Sequence, residues 1–166
     1  SPCHAASFKP HAKETMSKVI LLGDEAVARG AIDAGISAAY AYPGTPSTEI
    51  YQAIEDHAKE HGFNVRGMWS TNEKVALEEG VGVSYAGRRA MVSMKHVGLN
   101  VAADPFLNVA VSGAHGGLVV VVEDDPSMHS SQNEQDSRYF ADFAMVPCLE
   151  PADQQQCYDF TREAFD

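Results

Sequence analysis

Apolar positions along the chain fall into short continuous runs that alternate with segments of helical period. Residues 18–22 form such a run. It leads through Gly23 into a helix over 24–34, in which Ala26, Val27, Ala31 and Ile32 share one face, Asp24 supplies the cap and Gly35 the stop. Residues 38–42 are a short buried run ended by Pro43-Gly44-Thr45-Pro46. Ser47 or Thr48 then caps an amphipathic helix through His61, with Ile50, Ala53, Ile54, His57 and Ala58 on its apolar side and Gly62 beyond it. Residues 65–69 read as the next strand, and Asn72 as the cap of a helix over 73–86 that is rich in small residues. Residues 89–94 read as a strand, 98–112 as helix interrupted by Pro105, and 118–122 as a fully buried strand of five apolar residues. A helix from about Glu134 to Met145, an extended segment over 147–149 and a last helix from about Asp153 complete the order.

Buried runs separated by helices predict a three-layer α/β/α fold around a mainly parallel sheet, because parallel strands need crossovers and the crossovers are the helices. Ligands of such folds lie outside the carboxyl ends of the strands. The loops to inspect are therefore 43–48, 70–73, 95–100 and 123–135, which hold nearly all the chemically capable polar residues.

Composition narrows the partners. The 166 residues carry 12 Lys and Arg against 23 Asp and Glu, a net charge of −11, which excludes nucleic acid and anionic membrane surfaces as binding partners. A chain of this length buries about 70% of its unfolded surface and needs no staples. Cys3, Cys148 and Cys157 fit neither a disulfide framework nor paired metal ligands, no apolar stretch approaches a membrane span, and a cytoplasmic location is expected. Residues 1–17 precede the patterned part and read as a disordered extension, with His4, His11 and Cys3 forming no constellation. The last helical pattern is still running at Asp166, as in a piece of a longer chain.

Each loop has a structural and a chemical reading. Glu73 at a helix start is favoured by the helix dipole and the orphan amide groups alone. A carboxylate at a strand-to-helix junction among small residues is also one whose pKa rises by desolvation, able to share a proton with a ligand nitrogen. Pro43 and Pro46 make an ordinary turn, or a loop that keeps its shape against a ligand. It lacks the spacings of a P-loop or a dinucleotide cradle. His96, His115 and His129 share no zinc spacing, there is no nucleophile elbow, and the cysteines lie away from these loops.

Four blocks carry a resemblance: Tyr42-Pro43-Gly44-Thr45-Pro46-Ser47-Thr48-Glu49, Asn72-Glu73-Lys74-Val75-Ala76-Leu77-Glu78, the stretch from Met94-Lys95-His96-Val97-Gly98-Leu99-Asn100 to Pro105, and the stretch from Asp124 to Asp136 around Ser127-Met128-His129-Ser130-Ser131-Gln132-Asn133. Together they resemble the N-terminal part of alpha subunits in the 2-oxoacid:ferredoxin oxidoreductase family, of the indolepyruvate type, from about Lys18 to the end. The resemblance implies a thiamine diphosphate-binding fold, with residues 18–166 as the pyrimidine-binding domain. It implies that Glu73, matched with Ala76 and Gly82 in the family's spacing, hydrogen-bonds the cofactor's ring nitrogen, with Tyr42, Pro43, Gly44 and Thr45 as further cofactor contacts. Thr45 is then the first candidate for the keto-acid substrate, followed by His96, Asn100, His129 and Gln132. The reaction implied is oxidative decarboxylation of an aryl 2-oxoacid to its coenzyme A thioester, with electrons passing through iron–sulfur clusters to ferredoxin.

The diphosphate and magnesium signature and the cysteine run for [4Fe-4S] clusters are absent from this sequence. The site is therefore expected to be shared, with Mg2+ and clusters on the rest of the alpha subunit, a beta subunit as partner, a homodimer as one possible assembly, no metal on this chain and no turnover by it alone. Two alternatives remain: a non-catalytic α/β binding or regulatory module, and a thiamine diphosphate-dependent 2-oxoacid decarboxylase. An apolar face for the missing partner is expected on the small-residue helix over 73–86.

Overall fold

The computed structural model describes residues 18–166; the expected extension over 1–17 lies outside the described residues. Four parallel strands, β1 (Ala38–Ala41), β2 (Arg66–Trp69), β3 (Ala90–Lys95) and β4 (Leu118–Glu123), form one sheet in the order β2-β1-β3-β4. β1 and β3 are fully buried at its centre, in register from Ala38 opposite Ala90 to Ala41 opposite Ser93. Helices α1 (Gly23–Asp33) and α2 (Thr48–His61) cover one face, where Val27, Ala31, Ile50 and Ile54 meet Ala39, Ala41 and Met91. Helices α3 (Glu73–Tyr85), α4 (His96–Val101) and α5 (Ala103–Ser112) belong to the other, where Ala76, Leu77 and Leu99 meet Tyr40, Val92 and Met94. Helix α6 (Arg138–Ala144) lies beside α5, and α7 (Gln154–Glu163) packs on α1. The three-layer fold is the expected one.

Several local expectations are corrected. Residues 18–22 are not a strand: Val19, Ile20 and Leu22 are exposed, and the run finds no ladder partner among the described residues. An apolar run forms a strand only where a neighbour completes its hydrogen bonds. Asp24 does not cap α1; Leu22 occupies that position, its N–H bonded to Glu25 Oε2 at 2.7 Å. β4 is half-buried along its whole length rather than fully buried, because it is an edge strand paired only with β3. The helix expected from Glu134 begins at Arg138: Asp124 accepts hydrogen bonds from the N–H and hydroxyl of Ser137, and Asp136 binds Arg138, so side chains satisfy the backbone where helix was expected. Pro105 sits in the first turn of α5, and the break falls at Ala102, between α4 and α5.

Ala76, Gly80 and Ser84 of α3 are buried, whereas Gly82 is exposed. A Cβ on Gly80 would lie 2.5 Å from Val92 Cγ2 and 3.1 Å from Leu118 Cδ1, so glycine permits the close helix–sheet approach. Exposed apolar side chains include Tyr139, Phe143, Met145 and Leu149 on and after α6, and also Tyr85 at the end of α3, Val101 and Val111.

Candidate active site

The carboxyl ends of β1, β3 and β4 and the first turn of α3 converge at one edge of the sheet. Glu73 is the first residue of α3, set there by Asn72, whose side chain accepts the Val75 N–H at 2.9 Å. Its half-buried carboxylate accepts no hydrogen bond from the described residues and lies against Gly98 of α4. A Cβ at residue 98 would come within 2.5 Å of Glu73 Cγ and 2.7 Å of Oε1. Glycine at that position is what lets the carboxylate occupy the gap between α3 and α4.

The loop after β1 is pinned from within. Gly44 donates its N–H to Thr48 Oγ1 at 3.0 Å, and the buried Ser47 hydroxyl donates to the Gly44 carbonyl at 2.9 Å. Tyr42, Pro43 and Thr45 are left exposed at its crest. Beneath it, the stem of Lys95 would lie 3.2 Å from a Cβ on Gly44, and its ammonium donates to the Ser130 carbonyl.

The loop after β4 closes this edge from the other side. His96 is completely buried; its Nε2 donates to both the carbonyl and the side-chain oxygen of Asn133 at 3.0 Å, while Nδ1 has no partner among the described residues. Gln135 donates to the His96 carbonyl. Asp125 accepts from the Ser130 N–H and the Ser131 hydroxyl, which, with the charge of Lys95, hold its carboxyl below the usual range. Bound in this way, the loop exposes His129 and Gln132. Asn100 is exposed on α4. The expected residues therefore divide into three groups: Glu73 in its cradle, Thr45, Asn100, His129 and Gln132 open to solvent, and His96 enclosed as an anchor.

Sequence reading placed Gly98, Lys95, Asn133 and Asp125 in the strand-end loops but gave none of them a part in building this edge. Their individual signals are those of ordinary helix, strand-end and turn residues. It also missed a carboxyl pair: Glu123 ends β4 in contact with Asp24 of α1. Burial, then the hydrogen bond with Asp24 and the charges of Asp24 and Glu49, push Glu123 up to about 8. Burial raises Asp24 as well, and the charges of Glu49 and Glu25 add to this, against the lowering hydrogen bond with Glu123.

Among the described residues, the side chains that could gather on a metal ion are His57, Glu60 and His61, with ligand atoms within 4.8 Å of one another. They lie in the last turn of α2, by the amino ends of the strands and away from Glu73. For a cofactor with a nitrogen heterocycle, the fit is at Glu73: an unengaged carboxylate, partly shielded, in a gap that Gly98 keeps open.

Comparison with known proteins identifies the family of the chain. A family model described as "Pyruvate flavodoxin/ferredoxin oxidoreductase, thiamine diP-bdg" matches residues 29–166. Indolepyruvate oxidoreductase subunit IorA of Archaeoglobus fulgidus is 53% identical over 155 residues, covering 90% of this chain and 24% of that protein. The same subunit of Pyrococcus horikoshii is 53% identical over 149 residues. 2-Oxoglutarate synthase subunit KorA of Methanothermobacter thermautotrophicus is 30% identical over 150. The fold matches a solved 2-oxoglutarate:ferredoxin oxidoreductase from Magnetococcus marinus with a TM-score of 0.72 at 23% identity, covering 89% of this chain and 26% of that one. The chain thus spans about a quarter of the length of the IorA subunits it matches. The match from residue 29 to the end takes in β1 through α7 and every loop of the site, and the chain belongs to the thiamine diphosphate-binding domain family of the pyruvate flavodoxin/ferredoxin oxidoreductases.

Proposed function

We propose that this chain is the pyrimidine-binding domain, over residues 18–166, of an indolepyruvate:ferredoxin oxidoreductase that converts aryl 2-oxoacids to coenzyme A thioesters, releasing carbon dioxide and passing two electrons to ferredoxin. The observation that carries this reading is Glu73, a shielded carboxylate without a hydrogen-bond donor, at the strand-end edge of a domain from this family. About 50% identity to IorA subunits supports the aryl substrate class. Thiamine diphosphate, when bound, supplies the carbon nucleophile for the keto group and accommodates the electrons left by decarboxylation. Glu73 receives the ring nitrogen and holds the shared proton on its carboxylate, in surroundings that exclude part of the competing water. Tyr42, Pro43 and Gly44 form the wall beside the cofactor, and the free Thr45 hydroxyl meets the substrate. His129, Gln132 and Asn100 complete the cleft, with His96 fixing the loop that presents the first two.

Mg2+, the [4Fe-4S] clusters and the diphosphate site belong in this reading to the remainder of the alpha subunit and to a beta subunit, in the cytoplasm and with a homodimer as a further level of assembly. Cys148 and Cys157 are free thiols, and no helix among the described residues is long and apolar enough to cross a membrane.

The test is calorimetric titration of thiamine diphosphate into this chain alone and into the full-length chain assembled with its partner subunit. Binding only in the assembly, with indolepyruvate-dependent ferredoxin reduction, is the expected result. Glu73→Gln in that assembly should fold normally and lower turnover by about 10²–10⁴-fold. Undiminished turnover would remove Glu73 from its role, an aldehyde product would point to a simple decarboxylase, and no binding in any form to a non-catalytic module.

A further inference from the structure

We propose that Lys95 receives the carboxylate of the 2-oxoacid and makes the site selective for anionic over neutral keto compounds; this rests on the reading of the site given above. Charge at the carboxyl end of the sheet is mostly negative. Asp24, Glu49 and Glu123 act on one another there, and Asp124, Asp125 and Asp136 lie in the loop after β4. A 2-oxoacid carboxylate entering such surroundings has to meet a positive charge, since burying it uncompensated is strongly unfavourable.

Nearby cations are mostly committed. Lys74 is 3.0 Å from Asp104 and 3.9 Å from Glu78, while Arg138 binds Asp136 and Glu150. Lys95, 8% exposed, has no carboxylate within ion-pair distance among the described residues, and its described hydrogen bond goes to a neutral acceptor, the Ser130 carbonyl. Asp125 feels its charge but does not come within ion-pair distance of it, and its Oδ2 is held by the Ser130 N–H and the Ser131 hydroxyl. An ammonium has three N–H donors, so two are available to an incoming anion.

Position favours the same role. The Lys95 stem lies under Gly44, next to Thr45, and its head reaches the loop that exposes His129 and Gln132. Three residues further along, Gly98 cradles Glu73. One short segment thus carries a cation at the substrate loops and the gap for the proton-holding carboxylate. Packing has already ordered the lysine stem, so capturing an anion costs little further side-chain entropy.

The test uses the complete oxidoreductase with wild-type, Lys95→Gln and Lys95→Arg chains. Lys95→Gln keeps a donor for the Ser130 carbonyl and removes the charge. Indole-3-propionate, a carboxylate without the keto group, and indole-3-propionamide, its neutral counterpart, are compared as competitive inhibitors. The wild type should prefer the carboxylate by about 10–100-fold, the range of one charged hydrogen bond. Lys95→Gln should lose that preference and raise KM for indolepyruvate by a similar factor, with amide binding unchanged, and Lys95→Arg should restore most of it. A Lys95→Gln enzyme that keeps the preference while losing turnover or stability would reduce Lys95 to a strut between two loops and overturn the proposal. A wild-type enzyme that neither turns over indolepyruvate nor binds the carboxylate would instead overturn the reading of the site, and the role of Lys95 with it.

Discussion

Glu73 and Gly98 are a mutually dependent pair, because the carboxylate stands where any other residue at 98 would place its Cβ. Gly98→Ala therefore sets two effects against each other. Alanine in the middle of α4 gains up to about 1 kcal/mol of helix propensity. A Cβ only 2.5 Å from Glu73 Cγ displaces the side chain, and overpacking of this kind costs about 1–3 kcal/mol. We expect the clash to win, with Tm lowered and thiamine diphosphate affinity of the assembled enzyme reduced at least tenfold. In a Glu73→Ala background the same Gly98→Ala change should stabilise, and a thermal-melt double-mutant cycle reads the reversal. Glu73 was visible as a helix-start carboxylate beside a buried strand. The need for glycine at 98 was not, because it depends on how closely α4 approaches α3.

Helix starts connect local stability to the site at the scale of elements. Asn72 caps α3 through Val75 N–H, and Asp153 caps α7 through Gln156 N–H at 2.8 Å. Replacing either by alanine should cost about 1 kcal/mol. The two changes are expected to differ in activity: Asn72→Ala loosens the turn that carries Glu73 and lowers turnover, whereas Asp153→Ala, on the helix packed against α1, leaves turnover unchanged at equal loss of stability. Equal activities in the two variants would show that Glu73 is placed by its packing on Gly98 and not by the cap. The Asn72 cap was legible, being an Asn ahead of a helical pattern, and so was the helix start near Asp153, though not its capping role. The late start of α6 was not, since Asp124, just past the end of β4, satisfies the N–H and hydroxyl of Ser137, a proximity that the tertiary fold creates.

Stability of the molecule as a whole should depend on pH through the junction of β4, α1 and α2. Glu123 titrates at about 8 in the folded chain against 4.5 as its ordinary value, while the carboxyls of Asp24 and Glu49 face it. Between those values the folded state binds the proton more tightly than the unfolded state, so this group's stabilising contribution is complete below pH 4.5 and is lost as pH rises through 8. Glu123→Gln, which keeps a neutral hydrogen-bonding side chain beside Asp24, should raise Tm at pH 8 by about 2–4 °C, the shift that 1 kcal/mol gives a domain of this size, and should have little effect at pH 4.5. Equal melting shifts at the two pH values would refute this linkage. By itself the sequence determined the layered α/β plan, nearly every helix and strand, and the place of Glu73 at a helix start beside a strand end, because hydrophobic period, Gly and Pro punctuation and Asx caps act over a few residues. Only the tertiary structure decided that residues 18–22 stay unpaired among the described residues, that β4 lies at an edge, that His96 is an anchor, that Lys95 joins two loops and that Glu123 lies half-buried beside Asp24. Each of these depends on a neighbour distant in sequence, whose nearness is created by packing and is written in no local pattern.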